Sequence, residues 1–136
     1  MADQIGLWID HERAVIVRLQ PAGNTVDEIE SEVGKHLRDH GGTRGSAPYS
    51  PSHGEAGDHQ DRRYYQHLDR FYDDIIDRIK DAESILVVGP GEAKGEFDKR
   101  VARDKNLHRR LVKVQPADKM TKPQLVALVR DHFQQA

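Results

Sequence analysis

Residues 84–97 read Ser84-Ile85-Leu86-Val87-Val88-Gly89-Pro90-Gly91-Glu92-Ala93-Lys94-Gly95-Glu96-Phe97. Ile85 to Val88 is an unbroken apolar run rich in β-branched residues, the pattern of a short strand buried on both faces. Gly89-Pro90-Gly91 then turns the chain. After the turn the apolar residues recur every four positions, at Ala93, Phe97 and Val101, which predicts a helix from Glu92 to about Asp104. A strand that passes through a glycine turn into a helix is one α/β unit, and the rest of the chain is read around it.

Downstream, Leu111 to Gln115 reads as another strand. Thr121-Lys122-Pro123-Gln124 has the form of a capping box with proline in the first helical turn. The helix it opens would bury Leu125, Val126, Leu128, Val129 and Phe133. Upstream, Asp58 is an N-cap candidate for a long amphipathic helix over about 58–82. Its apolar stripe comprises Tyr64, Tyr65, Leu68, Phe71, Tyr72, Ile75, Ile76 and Ile79. At the start of the chain, Ile5, Leu7 and Ile9 alternate with other residues in one strand, 4–10, and Val15, Val17 and Leu19 alternate in a second, 13–19. Asp10 to Arg13 is a polar hairpin turn. Gly23-Asn24 is a turn before a third strand at 26–34, where Ile29, Ser31 and Val33 share a face.

The segment 36–57 differs in kind. It is rich in glycine, serine, proline and histidine and has almost no apolar residue, which predicts a long flexible loop. The expected order is β-β-β, long loop, α-β-α-β-α. An antiparallel start followed by alternating units makes this an α/β fold with a mixed sheet and helices packed on it.

The chain has 136 residues, room for one domain, 1–136, with a normal core. It has no cysteine, which excludes disulfides, thiolate metal sites and a cysteine nucleophile and suits a reducing cytoplasm. No apolar run approaches membrane-spanning length and no signal peptide is visible. The net charge is −2, but residues 84–136 hold eleven basic residues against six acidic, net +5. A basic half of this kind points to a polyanionic partner, beside the plainer reading of a solvated surface.

Three stretches carry a family resemblance: Leu7-Trp8-Ile9-Asp10-His11-Glu12-Arg13-Ala14, Ile85 through Phe97, and Val112-Lys113-Val114 through the last helix. Together they resemble the central domain of the archaeal–eukaryotic peptide-chain release factor and of its relative Pelota, a domain type that also occurs in stand-alone bacterial proteins. The resemblance implies a ribonuclease-H-like mixed sheet and a translational role. In the release factors a Gly-Gly-Gln loop between the early strands and the long helix helps water hydrolyse peptidyl-tRNA. Here that loop reads Arg38-Asp39-His40-Gly41-Gly42-Thr43-Arg44-Gly45. Gly41 and Gly42 match, and Thr43 stands where the glutamine would be. A threonine has no carboxamide to arrange around the attacking water, so peptide release does not carry over. Pelota-type relatives lack the Gly-Gly-Gln motif, which favours a binding role.

The expected contacts follow. Arg38, His40 and Arg44 flank the conformationally free Gly41-Gly42 and would meet phosphate. Arg62 and Arg63 stand at the start of the long helix beside aromatic residues that core packing claims first. Lys99, Arg100 and Arg103 share one side of the second helix, where Glu96–Arg100 and Lys99–Arg103 are also neighbours at helical spacing. Gly89 to Lys94 lacks the Gly-Lys-Ser/Thr order of a nucleotide-binding loop and reads as a structural turn. Five of the eight histidines (His36, His40, His53, His59, His67) lie in or beside the loop, in no spacing typical of a zinc site. No metal and no cofactor are expected. The functional expectation is a non-enzymatic cytoplasmic factor that binds the ribosome or structured RNA. Two alternatives stand beside it: a metal-dependent nuclease centred on Asp10 with carboxylates from Asp69, Asp73, Asp74 and Asp77, and a protein–protein module.

Overall fold

Strand β1 (Gln4–Ile9) is buried along almost its whole length: Ile5, Leu7 and Ile9 have no exposed surface and Trp8 has 4%. Such burial on both sides requires a central strand covered on both faces. A computed structural model describes residues 3–31 and 54–134, with side chains from residue 65 onward in the second span. Here β1 lies in the middle of a five-stranded sheet of order β3-β2-β1-β4-β5. It pairs antiparallel with β2 (Arg13–Gln20) and parallel with β4 (Ser84–Gly89). Strand β3 (Gly23–Glu30) joins β2 antiparallel, and β5 (Leu111–Pro116) joins β4 parallel. The sheet is therefore mixed, as the sequence predicts.

The pleat sends alternate residues to opposite faces. Ile5, Leu7, Ile9, Ala14, Ile16, Ile85 and Val87 face one core, and Trp8, Val15, Val17, Leu86 and Val88 face another. Among the described residues four helices cover the two faces. On the first lie α1 (Gly54–Ile79), α2 (Ala93–Val101) and α3 (Lys105–Arg110). They contribute Leu68, Phe71, Tyr72, Ile75 and Ile79, then Ala93, Phe97 and Val101, then Leu107. On the second lies α4 (Lys122–Gln134), which inserts Leu125 and Val129. A Cβ on Gly6 would overlap the Val129 side chain, so glycine is what lets α4 seat directly on β1.

Local chemistry explains where the elements begin and end. The capping box of α4 is reciprocal: Gln124 N–H donates to Thr121 Oγ1 at 3.2 Å, and Thr121 N–H donates to Gln124 Oε1 at 2.9 Å. Asp104 Oδ1 accepts from the amides of Asn106 and Leu107 at 3.0 and 3.2 Å and opens α3. Two arginines finish α1. Arg18 donates to Arg78 O at 2.6 Å, and Arg110 donates to Lys80 O and Ala82 O at 2.6 and 3.0 Å, placing cations at the negative end of the helix.

Four expectations are corrected. The helix expected over 92–104 ends at Val101, and α3 follows as a separate short helix, because Asp104 caps a new start. The turn before β3 is at Pro21-Ala22. Gly23 already pairs with Gln20 and takes the positive φ of +146° that glycine tolerates. Strand β3 accordingly runs earlier than 26–34; Ser31, just past its end, is buried, and Val33 lies outside the described residues. Helix α1 begins at Gly54, so Asp58 lies inside it and the last four residues of the expected 36–57 loop are helical.

Candidate functional site

The β1–β2 turn is held by short polar bonds. Asp10 Oδ1 accepts from the amides of Glu12 and Arg13, each at 2.8 Å, and Asp10 N–H donates to Arg13 O at 3.0 Å. Ser31 Oγ donates to His11 O at 2.7 Å and lies 3.2 Å from Glu12 O. The turn carries His11, whose Nε2 lies 3.0 Å from Glu96 Oε1 on α2. The same oxygen accepts from the Tyr72 hydroxyl of α1 at 2.7 Å. One carboxylate thus ties the turn, α1 and α2 together. Asp10, the residue a nuclease of this general shape would need for metal, has one oxygen committed to the turn. Among the described residues no three histidine, aspartate or glutamate side chains converge as a metal site.

Beside this tie, α1 and α2 form a groove of about 260 Å³ lined by Tyr65, Leu68, Asp69, Tyr72, Glu96, Lys99, Arg100 and Arg103. Three of the cations expected from the sequence are therefore brought together, but not in equivalent roles. Arg100 reaches across to α1. Its Nε donates to Asp73 Oδ1 at 2.9 Å, its Nη2 to Asp73 Oδ2 at 2.8 Å, and its Nη1 lies 3.4 Å from Asp69. This two-pronged fit is the geometry in which arginine pairs best with a carboxylate. The hydrogen bond from Arg100, and then the charges of Arg100 and Arg103, hold the Asp73 carboxyl below its ordinary range against partial burial. The same bond raises the Arg100 guanidinium, with burial opposing. The sequence offered Glu96–Arg100 along one helix; in the fold both residues turn outward to other elements.

Lys99 and Arg103 stand on the groove rim, exposed, and among the described residues neither side chain makes a hydrogen bond or a close ion pair, although the Arg103 charge still reaches Asp73. Lys105, Arg109 and Lys113 are likewise exposed and unpaired on α3 and β5. The basic half of the chain therefore divides. Arg100 and Arg110 hold the fold together, and His108 pairs with Asp98 at 3.1 Å. Lys99, Arg103, Lys105, Arg109 and Lys113 offer charge to solvent.

Tyr65 departs from the expected core role: its spacing from Leu68 and Tyr72 puts it on the apolar stripe, whereas the residue is 58% exposed and lines the groove, at the stripe's N-terminal end. Arg62 and Arg63 lie in α1, and their side chains are outside the described residues, as is that of Tyr64. Arg38, His40, Gly41, Gly42, Thr43 and Arg44 also lie outside the described residues.

Comparison with solved structures gives the architecture its relatives. The chain is similar in structure to Pelota. The Pelota protein of Thermoplasma acidophilum superposes with a TM-score of 0.57 at 16% identity, over 95% of this chain and 32% of that one. Pelota of Archaeoglobus fulgidus gives 0.57 at 14% identity, over 96% of this chain and 31% of that one. An archaeal translation termination factor gives 0.52 at 13% identity, over 98% of this chain and 39% of that one. At these identities the likeness is one of fold, and the chain spans about a third of the length of these proteins. No protein-family model and no curated protein matches the sequence. Among the described residues no helix is long and apolar enough to cross a membrane.

Proposed function

We propose that the chain is a translation-factor-like binding domain that docks on structured RNA, with the ribosome as its setting and without peptidyl-tRNA hydrolysis. The observation that carries this reading is the likeness of fold to Pelota and to an archaeal termination factor over 95–98% of the chain. The sheet order β3-β2-β1-β4-β5, with its first three strands antiparallel and β1, β4 and β5 parallel, is taken as the ribonuclease-H-like arrangement. The row of unpaired cations on α2, α3 and β5 supplies the chemistry, because solvent-facing lysine and arginine gain most by displacing counterions from phosphate. The loop carrying Gly41, Gly42 and Thr43 is the second contact, and Thr43 in place of glutamine is the reason that hydrolysis is left out of the proposal.

Co-sedimentation of the purified chain with ribosomes over a salt series tests the reading. The expected result is pelleting at low salt that falls steeply as salt rises, with a logarithmic slope of about −0.7 to −0.9 per phosphate contact. Absence of pelleting at low salt by folded protein contradicts it.

A further inference from the structure

The groove between α1 and α2 combines features that a phosphate-binding surface alone does not require. Duplex RNA is gripped from outside by cations, and its bases are stacked and paired out of reach of a protein aromatic ring. An unpaired base, by contrast, presents its π-face, and proteins that take single strands pair a cationic track with a ring on which the base stacks. Tyr65, 58% exposed as a residue, supplies such a ring at one wall of the groove. Lys99 and Arg103 supply two unpaired cations on the opposite wall.

The groove floor excludes the alternative of phosphate lying deep within it. Arg100 is neutralised there by Asp73 and Asp69. Glu96 keeps its carboxylate in the floor, bonded by Tyr72 and beside His11. An anion is repelled from that floor and attracted to the rim, so the polar and flat parts of a ligand are directed to different walls. The clamp also makes the site rigid, since Arg100 locks α2 to α1 across it.

We propose that this groove holds one unpaired nucleotide of single-stranded RNA, its base against Tyr65 and its phosphate between Lys99 and Arg103. The inference rests on the RNA-binding reading above and narrows it to a class of ligand and a place.

Fluorescence anisotropy with the full chain tests it, using a labelled single-stranded RNA heptamer and a blunt RNA duplex of the same length. The single strand is expected to bind more tightly. Tyr65→Leu is expected to weaken single-strand binding about tenfold, the scale of one lost stacked base, and to leave duplex binding unchanged. Tyr65→Phe is expected to retain it. The double variant Lys99→Ala with Arg103→Ala is expected to flatten the single-strand salt slope by about 1.4, two contacts' worth. Equal binding of both RNAs, or unaltered single-strand affinity in Tyr65→Leu, overturns the proposal. The two readings fail separately. Ribosome pelleting with an indifferent Tyr65→Leu removes this inference and keeps the docking role. Single-strand binding without ribosome pelleting does the reverse. Binding of neither RNA removes this inference, and absence of ribosome pelleting as well removes both.

Discussion

The two faces of the sheet solve different problems with the same strands. On the face covered by α1, α2 and α3, the apolar core is bordered by a polar layer: His11, Tyr72 and Glu96 meet at one carboxylate, and Arg100 bridges to Asp73 and Asp69. The groove and the unpaired cations open from this layer. On the α4 face a single helix lies directly on β1. Val129 sits against Gly6, and the Trp8 indole N–H donates to Asp118 O at 3.1 Å, pinning the β5–α4 connection. The shallow pocket beside Trp8 carries the Lys122–Glu28 pair at 3.1 Å among its lining residues. The contrast teaches that cations near one another in sequence divide by what the fold places opposite them. Where a carboxylate on another element comes within bonding distance, the cation becomes structural; where none does, its charge faces solvent.

The largest expected effect lies in the core of the groove face. Phe97 is fully buried and packs edge-on to Tyr72, with ring centroids 5.9 Å apart. Phe97→Ala is expected to destabilise by about 3–5 kcal/mol in urea unfolding and to remove RNA binding through loss of the groove wall. A loss near 1 kcal/mol would mean that α2 is not anchored there. Next comes the α4 face. Gly6→Ala forces a methyl group into Val129 and is expected to cost about 1–3 kcal/mol, with RNA affinity per folded molecule unchanged. A neutral substitution would break the claim that α4 seats directly on β1 at Gly6. Asp10→Ala removes the acceptor for two turn amides and is expected to cost about 1–2 kcal/mol, read as a lower Tm. Magnesium-dependent RNA cleavage by the wild type, lost in this variant, would contradict the structural role given to Asp10.

The smallest effect concerns the clamp. Asp73 has a folded-state pKa below its ordinary value, so its contribution is present at neutral pH and is lost as pH falls through that depressed value. Asp73 is about half exposed, and screening limits the contribution to about 0.5 kcal/mol. The stability gap between wild type and Asp73→Asn is therefore expected at pH 7 and absent in acid. A gap that persists unchanged in acid would show that Arg100 does not act through the ionised carboxylate.

Periodicity made much of this fold legible before any coordinates. The alternation of Ile5, Leu7 and Ile9, the stripe from Leu68 to Ile79 and the Thr121–Gln124 capping box are local patterns, and each is found where it was expected. The misses are of two kinds. Asp104 as a second cap and Pro21-Ala22 as the hairpin turn were written locally but overshadowed by stronger neighbouring signals. The partners of Arg100 and Glu96 were not written locally at all, since Asp73 and His11 reach them from 27 and 85 positions away.

The most direct test of the account compares the two faces at equal charge. Lys99→Glu with Arg103→Glu alters the groove face, and Lys119→Glu with Arg130→Glu makes the same change in net charge at exposed positions on and just before α4. Ribosome co-sedimentation at one low salt concentration is predicted to fall sharply for the first pair and to stay near wild type for the second. Equal loss in both pairs, or none in the first, would contradict the placement of the binding surface on α1 and α2.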